Sequence, residues 1–236
     1  MKRHRLGQHY LVDPDVIHRF VSLADIRPTD RVLEIGTGKG ALTKELAGIG
    51  SSYLGYEVDR ANFAETSNLV RGTAARVVLA DAFEEHPGFD VLVSSLPYSE
   101  SATFVKWLSG RKFRRAVVVL QQDFVRKIMA PPGSRDYRGL SSLSQVCFDV
   151  KVLGDVPRAA FSPPPRVGSV IASFTPVRRI EKAEVTNIIR LFSLRRRVAD
   201  SALEELGMKG AVSFGKRRVN SLRPEEVHLL CVQRPR

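Results

Sequence analysis

Arg31-Val32-Leu33-Glu34-Ile35-Gly36-Thr37-Gly38-Lys39-Gly40-Ala41-Leu42 reads as a short, mostly apolar strand, a glycine-rich turn and the opening of a helix. The strand Arg31 to Ile35 ends at glycines, and a helical pattern follows in Ala41, Leu42, Leu46, Ala47 and Ile49. Glycines at a strand-to-helix turn let the backbone turn sharply and come close to a nucleotide-like ligand. The glycine pattern alone is ambiguous, because Gly36, Gly38 and Ala41 also satisfy the dinucleotide fingerprint, whose third small position can be alanine. A phosphate loop of the nucleoside-triphosphatase type is excluded, since Lys39 is followed by Gly40 where Ser or Thr is required.

Working outward, the same alternation repeats. Asp13-Pro14 reads as an N-cap with proline at the first helical position, opening a helix through about Leu23. After the glycine turn come strand Ser52 to Tyr56, a helix near Arg60 to Val70 and strand Arg76 to Leu79. Strand Asp90 to Ser94, helix Ser101 to Ser109, strand Ala116 to Leu120 and helix Gln121 to Met129 continue it. Strands alternating with helices argue an α/β fold, a parallel sheet covered on both faces, and the near-continuous apolar strands suit burial on both sides. The pattern changes after Met129. Ala130-Pro131-Pro132-Gly133-Ser134 is a break, Phe148 to Leu153 and Val167 to Phe174 look like closing strands, and Phe161-Ser162-Pro163-Pro164-Pro165 is a stiff loop. From Glu181 only helical periodicity remains, so a boundary is expected near Pro176, dividing residues 1–176 from a small helical domain, 177–236.

Composition narrows the classes. With 236 residues and 43% hydrophobic side chains, the chain can bury a substantial core and is not intrinsically disordered. It has no apolar run of about 18 residues to span a membrane, and Met1-Lys2-Arg3-His4-Arg5 lacks the apolar stretch of a signal peptide. Two cysteines in apolar segments, Cys147 and Cys231, suggest buried thiols in a reducing cytoplasm, and no Cys/His cluster suggests a zinc site. The net charge is +12 (37 Lys+Arg against 25 Asp+Glu) and uneven. Residues 178–236 carry 14 basic and 7 acidic side chains, or +7, whereas the preceding 177 carry 23 − 18 = +5. A basic excess gathered at one end is what a polyanion-binding surface looks like, although a solvated tail has the same composition.

Three further features stand at strand ends. Glu57 lies 57 − 36 = 21 residues after Gly36, the position from which a carboxylate accepts hydrogen bonds from ribose hydroxyls. Asp59 could serve instead or cap the next helix, and Asp81 ends the third strand. Any one acid is unremarkable; several on one sheet edge point to a ligand, which binds at the carboxyl ends of such strands. Ser94-Ser95-Leu96-Pro97-Tyr98 at the end of the fourth strand sets an aromatic ring and free carbonyls beside that pocket. A dehydrogenase has no use for that arrangement. An enzyme modifying the exocyclic amine of a nucleobase does, because the ring stacks on the base and a carbonyl accepts from the amino group.

On these residues the chain resembles the KsgA-type ribosomal RNA adenine dimethyltransferases, which use S-adenosylmethionine. The matching pieces run nearly end to end: Gly7-Gln8-His9-Tyr10-Leu11, Leu33-Glu34-Ile35-Gly36-Thr37-Gly38, Tyr56-Glu57-Val58-Asp59, Asp81-Ala82-Phe83 and Leu96-Pro97-Tyr98. Ala130-Pro131-Pro132-Gly133-Ser134, Phe161-Ser162-Pro163-Pro164-Pro165-Arg166-Val167 and Phe192-Ser193-Leu194-Arg195-Arg196-Arg197 complete the series. The resemblance implies a Rossmann-like methyltransferase sheet with a small helical C-terminal domain. It also implies transfer of four methyl groups to two adjacent adenines in a hairpin loop near the 3′ end of small-subunit rRNA, acting on the small ribosomal subunit or its precursor. A cytoplasmic monomer without metal is expected.

Carried over position by position, the resemblance assigns Gln8, His9 and Leu11 to an N-terminal cofactor lid. Gly36 and Gly38 would face the methionine end, Glu57 the ribose, Asp81 with Ala82 the cofactor adenine, and Ser95 both cofactor and reacting amine. Leu96 and Pro97 would present the carbonyl beside the amine, while Tyr98 and Phe161 would hold the target base. Arg195, Arg196 and Arg197, then Lys216, Arg217 and Arg218, are the expected phosphate contacts. One departure matters: family members usually have asparagine where this chain has Ser95, whose shorter hydroxyl can also accept but needs a closer base or a bridging water. Competing readings are a large-subunit rRNA adenine methyltransferase, a ribosome-assembly RNA-binding factor with little catalysis, and an NAD-dependent dehydrogenase. The loop Ala130 to Ser134 and Tyr137-Arg138-Gly139-Leu140-Ser141 favour the small-subunit branch over the first.

Overall fold

The computed structural model describes residues 9–208 and 213–232. In chain order the elements are β1 (Tyr10–Leu11), α1 (Pro14–Leu23), β2 (Arg31–Ile35), α2 (Ala41–Leu46), β3 (Ser52–Glu57) and α3 (Arg60–Leu69). Next come β4 (Arg76–Leu79), β5 (Val91–Ser95), α4 (Ser101–Leu108), β6 (Arg115–Gln121), α5 (Gln122–Ile128) and α6 (Gly139–Cys147). The chain closes with β7 (Phe148–Val156), β8 (Phe161–Ser162), β9 (Ser169–Pro176), α7 (Lys182–Ser193), α8 (Ala199–Glu205) and α9 (Pro224–Val232).

Seven strands form one sheet in the order β4-β3-β2-β5-β6-β9-β7. β2 pairs in parallel with both β3 and β5, β3 with β4 and β5 with β6, whereas β9 runs antiparallel to β6. The direction of winding therefore reverses at β2: β3 and β4 lie to one side, β5 and β6 to the other. In such sheets the crevice at the carboxyl ends beside the reversal is where ligands bind. This is the expected Rossmann-like α/β sheet.

Local chemistry explains the elements. The Asp13 carboxylate accepts from the N–H groups of Asp15 and Val16, and Pro14 follows it, so α1 starts with its orphan donors met. Ile17 and Phe20 of α1, with Leu42 and Leu46 of α2, pack on Val32, Val91, Val93, Val117 and Val119 of the strands. β5 and β6 are apolar on both faces and fully buried through Val91–Val93 and Ala116–Leu120.

The chain divides into two compact units. The first reaches from the described N-terminus to Phe104 and adds Lys112–Asp123 and Lys151–Pro176; it contains the parallel strands. The second takes Val105–Arg111, Phe124–Val150 and the described residues from Val177 onward, and is thus larger than the segment after Pro176 alone. Within it α6 packs on α7 and α9. The Tyr137 ring meets Phe192 edge-on at 5.3 Å, and its hydroxyl donates to the Leu222 carbonyl at 3.1 Å.

Three elements differ from sequence reasoning. α6 was not anticipated, because its Ser141, Ser142 and Ser144 are buried together with Leu143, Val146 and Cys147, which leaves no apolar stripe against a polar one. β1 and β8 pair only with each other, too short for any periodicity. Arg195–Arg197 form successive turns after α7, with Arg195 N–H on Phe192 O and Arg197 N–H on Leu194 O, so they do not lie on a helix face. Among the described residues no helix is long and apolar enough to cross a membrane, and no group of three or more His, Cys, Asp or Glu could hold a metal ion.

Candidate active site

A cavity of about 500 Å³ opens at the carboxyl ends of β2, β3, β4 and β5. Its floor is the turn after β2. Gly36 and Thr37 both donate their N–H to the Tyr56 carbonyl, at 2.8 and 3.2 Å, which ties the turn to β3. Gly38 has φ +53 and Gly40 φ +80, left-handed backbone that favours glycine. A Cβ on Gly38 would stand 3.1 Å from the Tyr10 ring, and one on Gly40 would strike the Leu69 methyl. Glycine here therefore serves close packing of the loop as well as its curvature.

Glu57 is 4% exposed, yet it lines the cavity. One carboxylate oxygen accepts from Gly38 N–H at 2.7 Å, and the other from the N–H groups of Val58 and Asp59, both at 2.8 Å. Three of roughly four acceptor positions of the carboxylate are thereby used, leaving one that can face the cavity. Asp59 instead caps α3, accepting from Ala61 and Asn62 N–H. Asp81 and Ala82 line the same cavity, Asp81 exposed and accepting from Phe83 N–H at 2.9 Å, Ala82 buried.

The end of β5 forms the opposite wall. Ser95, Leu96 and Pro97 line the cavity; Ser95 is half-buried, and among the described residues its hydroxyl has no hydrogen-bond partner. The chain then turns through Tyr98–Glu100, and the turn's hydrogen bond runs from Glu100 N–H to Pro97 O, not to Leu96 O. Tyr98 is half-buried beside this wall, its hydroxyl 2.5 Å from Ser169 Oγ at the start of β9. Burial raises the Tyr98 phenol above its ordinary pKa, so it stays neutral.

The N-terminal segment covers one side. β1 is held by β8, with Tyr10 opposite Ser162 and Leu11 opposite Phe161. His9 and Leu11 both line the cavity. His9 Nδ1 lies 2.8 Å from Pro163 O; a carbonyl only accepts, so that nitrogen carries the proton. The His9 ring is 5.6 Å from the Tyr98 ring, linking lid to wall. Gln8 lies outside the described residues. Neither residue expected to hold the target base is among those lining the cavity: Tyr98 stands beside its wall, and Phe161 is 4% exposed and packs in the core with Leu11, Ile17 and Phe20.

Several cavity residues carry no site role in the sequence reading, and three of them shape the cavity. Tyr10 lies over the glycine turn, with Lys39 Nζ 5.2 Å above its ring and its hydroxyl accepting from Asn62 Nδ2 at 3.3 Å. Val58 is 58% exposed on the cavity wall, an apolar surface suited to a purine face. Glu34 is buried and accepts from Tyr53 at 2.5 Å and Thr43 at 2.9 Å. Burial pushes its carboxyl up to about 8, so it is largely neutral at pH 7. The signal for Glu34 was an acid inside an apolar strand; nothing in the sequence marks Val58.

A family model described as ribosomal RNA adenine dimethylase matches residues 1–225. The chain belongs to the ribosomal RNA adenine dimethylase family. The chain is 35% identical over 238 residues to the "Probable ribosomal RNA small subunit methyltransferase A" of Pyrococcus abyssi, covering 94% of the chain and 88% of the relative. Its fold matches the crystal structure of a dimethyladenosine transferase from Plasmodium falciparum with a TM-score of 0.77 at 23% identity, over 94% of this chain and 96% of that one. It also matches the 23S rRNA methyltransferase ErmE with a TM-score of 0.68 at 25% identity, over 94% and 98%. The chain is an rRNA adenine methyltransferase, and its cofactor is S-adenosylmethionine. The cavity's donor set fits that group: a glycine floor, a carboxylate with an acceptor site to spare, and the apolar Val58 wall.

Proposed function

We propose that the chain dimethylates N6 of two adjacent adenines in a hairpin loop near the 3′ end of small-subunit rRNA, acting in the cytoplasm as a monomer on the small ribosomal subunit or its precursor. One observation carries this reading: the glycine turn with Glu57 and the Ser95-Leu96-Pro97 segment line one cavity. A bound cofactor and an incoming amine therefore share a space. When bound, S-adenosylmethionine supplies an electrophilic methyl group. Glu57 holds the ribose side with its remaining acceptor site, Asp81 and Ala82 the adenine side, and Gly36 and Gly38 admit the methionine end, while His9 and Leu11 close the lid. The Leu96 carbonyl and the Ser95 hydroxyl accept from the target amine and support the positive charge that develops on nitrogen. Tyr98 offers the base a stacking face. Holding the reactants in line is an orientation effect worth up to about 7–11 kcal/mol.

The buried position of Phe161 supports a role in holding the lid strand; a contact with the base requires the β1–β8 pair to open. Arg195–Arg197 and Lys216–Arg218 supply phosphate contacts. Incubation of small ribosomal subunits lacking the modification with enzyme and labelled S-adenosylmethionine tests the reading. Mass spectrometry of the digested rRNA is expected to show dimethyladenine at two neighbouring positions. Labelling of large-subunit rRNA instead, or of neither, overturns it.

A further inference from the structure

Ser169 is the first residue of β9 and only 3% exposed, although a polar residue at a strand end is more often open to solvent. Its place is fixed by the sheet. It stands opposite Gln121 in the antiparallel register with β6, and Gln122 N–H donates to the neighbouring Gly168 O at 3.0 Å. On the other side of β6, Ser95 of β5 stands beside Val119. Ser169 and the cavity wall that begins at Ser95 therefore belong to strands flanking the same central strand. The buried Ser169 hydroxyl meets the Tyr98 hydroxyl, which reaches across the end of β6, at 2.5 Å.

Tyr98 is thereby held at both ends. At the main-chain end, Ser101 Oγ donates to Tyr98 O at 2.9 Å. At the far end, the hydroxyl is tied to Ser169, on a different strand. The His9 ring lies 5.6 Å from the Tyr98 ring at an interplanar angle of 35°, and His9 is itself held by Pro163 O. A half-exposed ring without a tether samples several staggered χ1 wells, whereas a hydrogen bond to a fixed partner selects one of them. Because burial keeps the phenol neutral, the contact joins two uncharged hydroxyls and does not break by titration near pH 7. Orientation matters at such a place: a misplacement of about 1 Å near the reacting atoms can cost on the order of a hundredfold in rate.

We propose that Ser169 is a positioning residue for methyl transfer: its hydroxyl fixes the Tyr98 ring in the orientation that stacks on the target adenine. This rests on the role of Tyr98 proposed above. Ser169 is not among the residues that line the cavity, so it acts on the base through Tyr98. Its loss is therefore felt in the transfer step and not in cofactor binding. A serine that merely stabilised the start of β9 would behave differently, because its removal would cost the same whichever residue stood at position 98.

A double-mutant cycle separates the two. The full chain, Ser169→Ala, Tyr98→Phe and the double variant are assayed for single-turnover methylation of small ribosomal subunits lacking the modification, at saturating labelled S-adenosylmethionine. Each single variant is expected to slow transfer by about three- to tenfold, the worth of one neutral hydrogen bond, with the calorimetric Kd for S-adenosylmethionine unchanged. The double variant is expected to be no slower than the slower single one, since both remove the same bond. Should Ser169→Ala fail to fold by circular dichroism, Ser169→Cys takes its place in the cycle with the same expectation, its thiol being close in size but a weak hydrogen-bonding group. Losses that multiply in the double variant overturn the positioning role, as does a wild-type rate in either single variant or a cofactor affinity that falls as far as the rate. A wild-type protein that leaves the subunits unmethylated overturns the RNA reading itself; an active wild type with multiplying losses overturns only the role of Ser169.

Discussion

Gly38 donates its main-chain N–H to the buried carboxylate of Glu57 at 2.7 Å. The acid expected to bind a ribose therefore also holds the loop on which the cofactor rests. Binding and scaffold are joined in one side chain, and its removal acts on both.

Glu57→Ala is accordingly expected to weaken S-adenosylmethionine binding by about 1.5–3 kcal/mol, the worth of hydrogen bonds to a charged group. It should also lower the melting temperature without ligand, because three main-chain donors lose their acceptor. Titration calorimetry reads the first effect and a thermal melt the second. Unchanged affinity would remove Glu57 from the cofactor site.

Tyr98→Ala should cost a stacking face worth about 1–3 kcal/mol and lower turnover, with cofactor affinity nearly intact. Tyr98→Phe keeps the ring but loses the contact with Ser169 and should fall between the two. If cofactor affinity drops as far as turnover, the tyrosine is structural and the stacking role is wrong.

Phe161→Ala tests where that ring acts. Buried in the core, it is expected to cost about 3–5 kcal/mol of stability in a urea titration. A variant with wild-type stability and lost turnover would return Phe161 to the target base.

Glu34 gives the fold a pH dependence. Burial pushes its folded carboxyl up to about 8 from an ordinary value of 4.5, so between these values the folded state binds the extra proton. Its contribution to stability is present in full below the lower value and is lost as pH rises through the upper one, at up to about 1.4 kcal/mol per pH unit. Glu34→Gln, a neutral replacement of the same shape, should flatten the urea midpoint between pH 5 and pH 8. An equally steep decline in the variant would show that other groups cause it.

Elements whose chemistry is local could be read from neighbouring residues. Strands Arg31–Ile35 and Arg76–Leu79 and helix Pro14–Leu23 stand where apolar runs and capping put them, because a run of apolar residues and an Asp-Pro cap are written in neighbouring residues. The cavity's floor and far wall were legible for the same reason: Gly36, Gly38, Glu57, Asp81 and Ser95 are strand-end residues, and a parallel sheet places such ends on one edge. What depends on partners distant in the chain became visible in the folded protein. Leu11 meets Phe161 across 150 residues, which makes the aromatic ring core and not cavity wall. Glu34 becomes neutral through desolvation, which no local pattern encodes. Arg196 and Arg217 look alike in their basic runs, yet Glu226 neutralises one and leaves the other to solvent. Charge is a property of the residue, but its availability is a property of what the fold brings beside it.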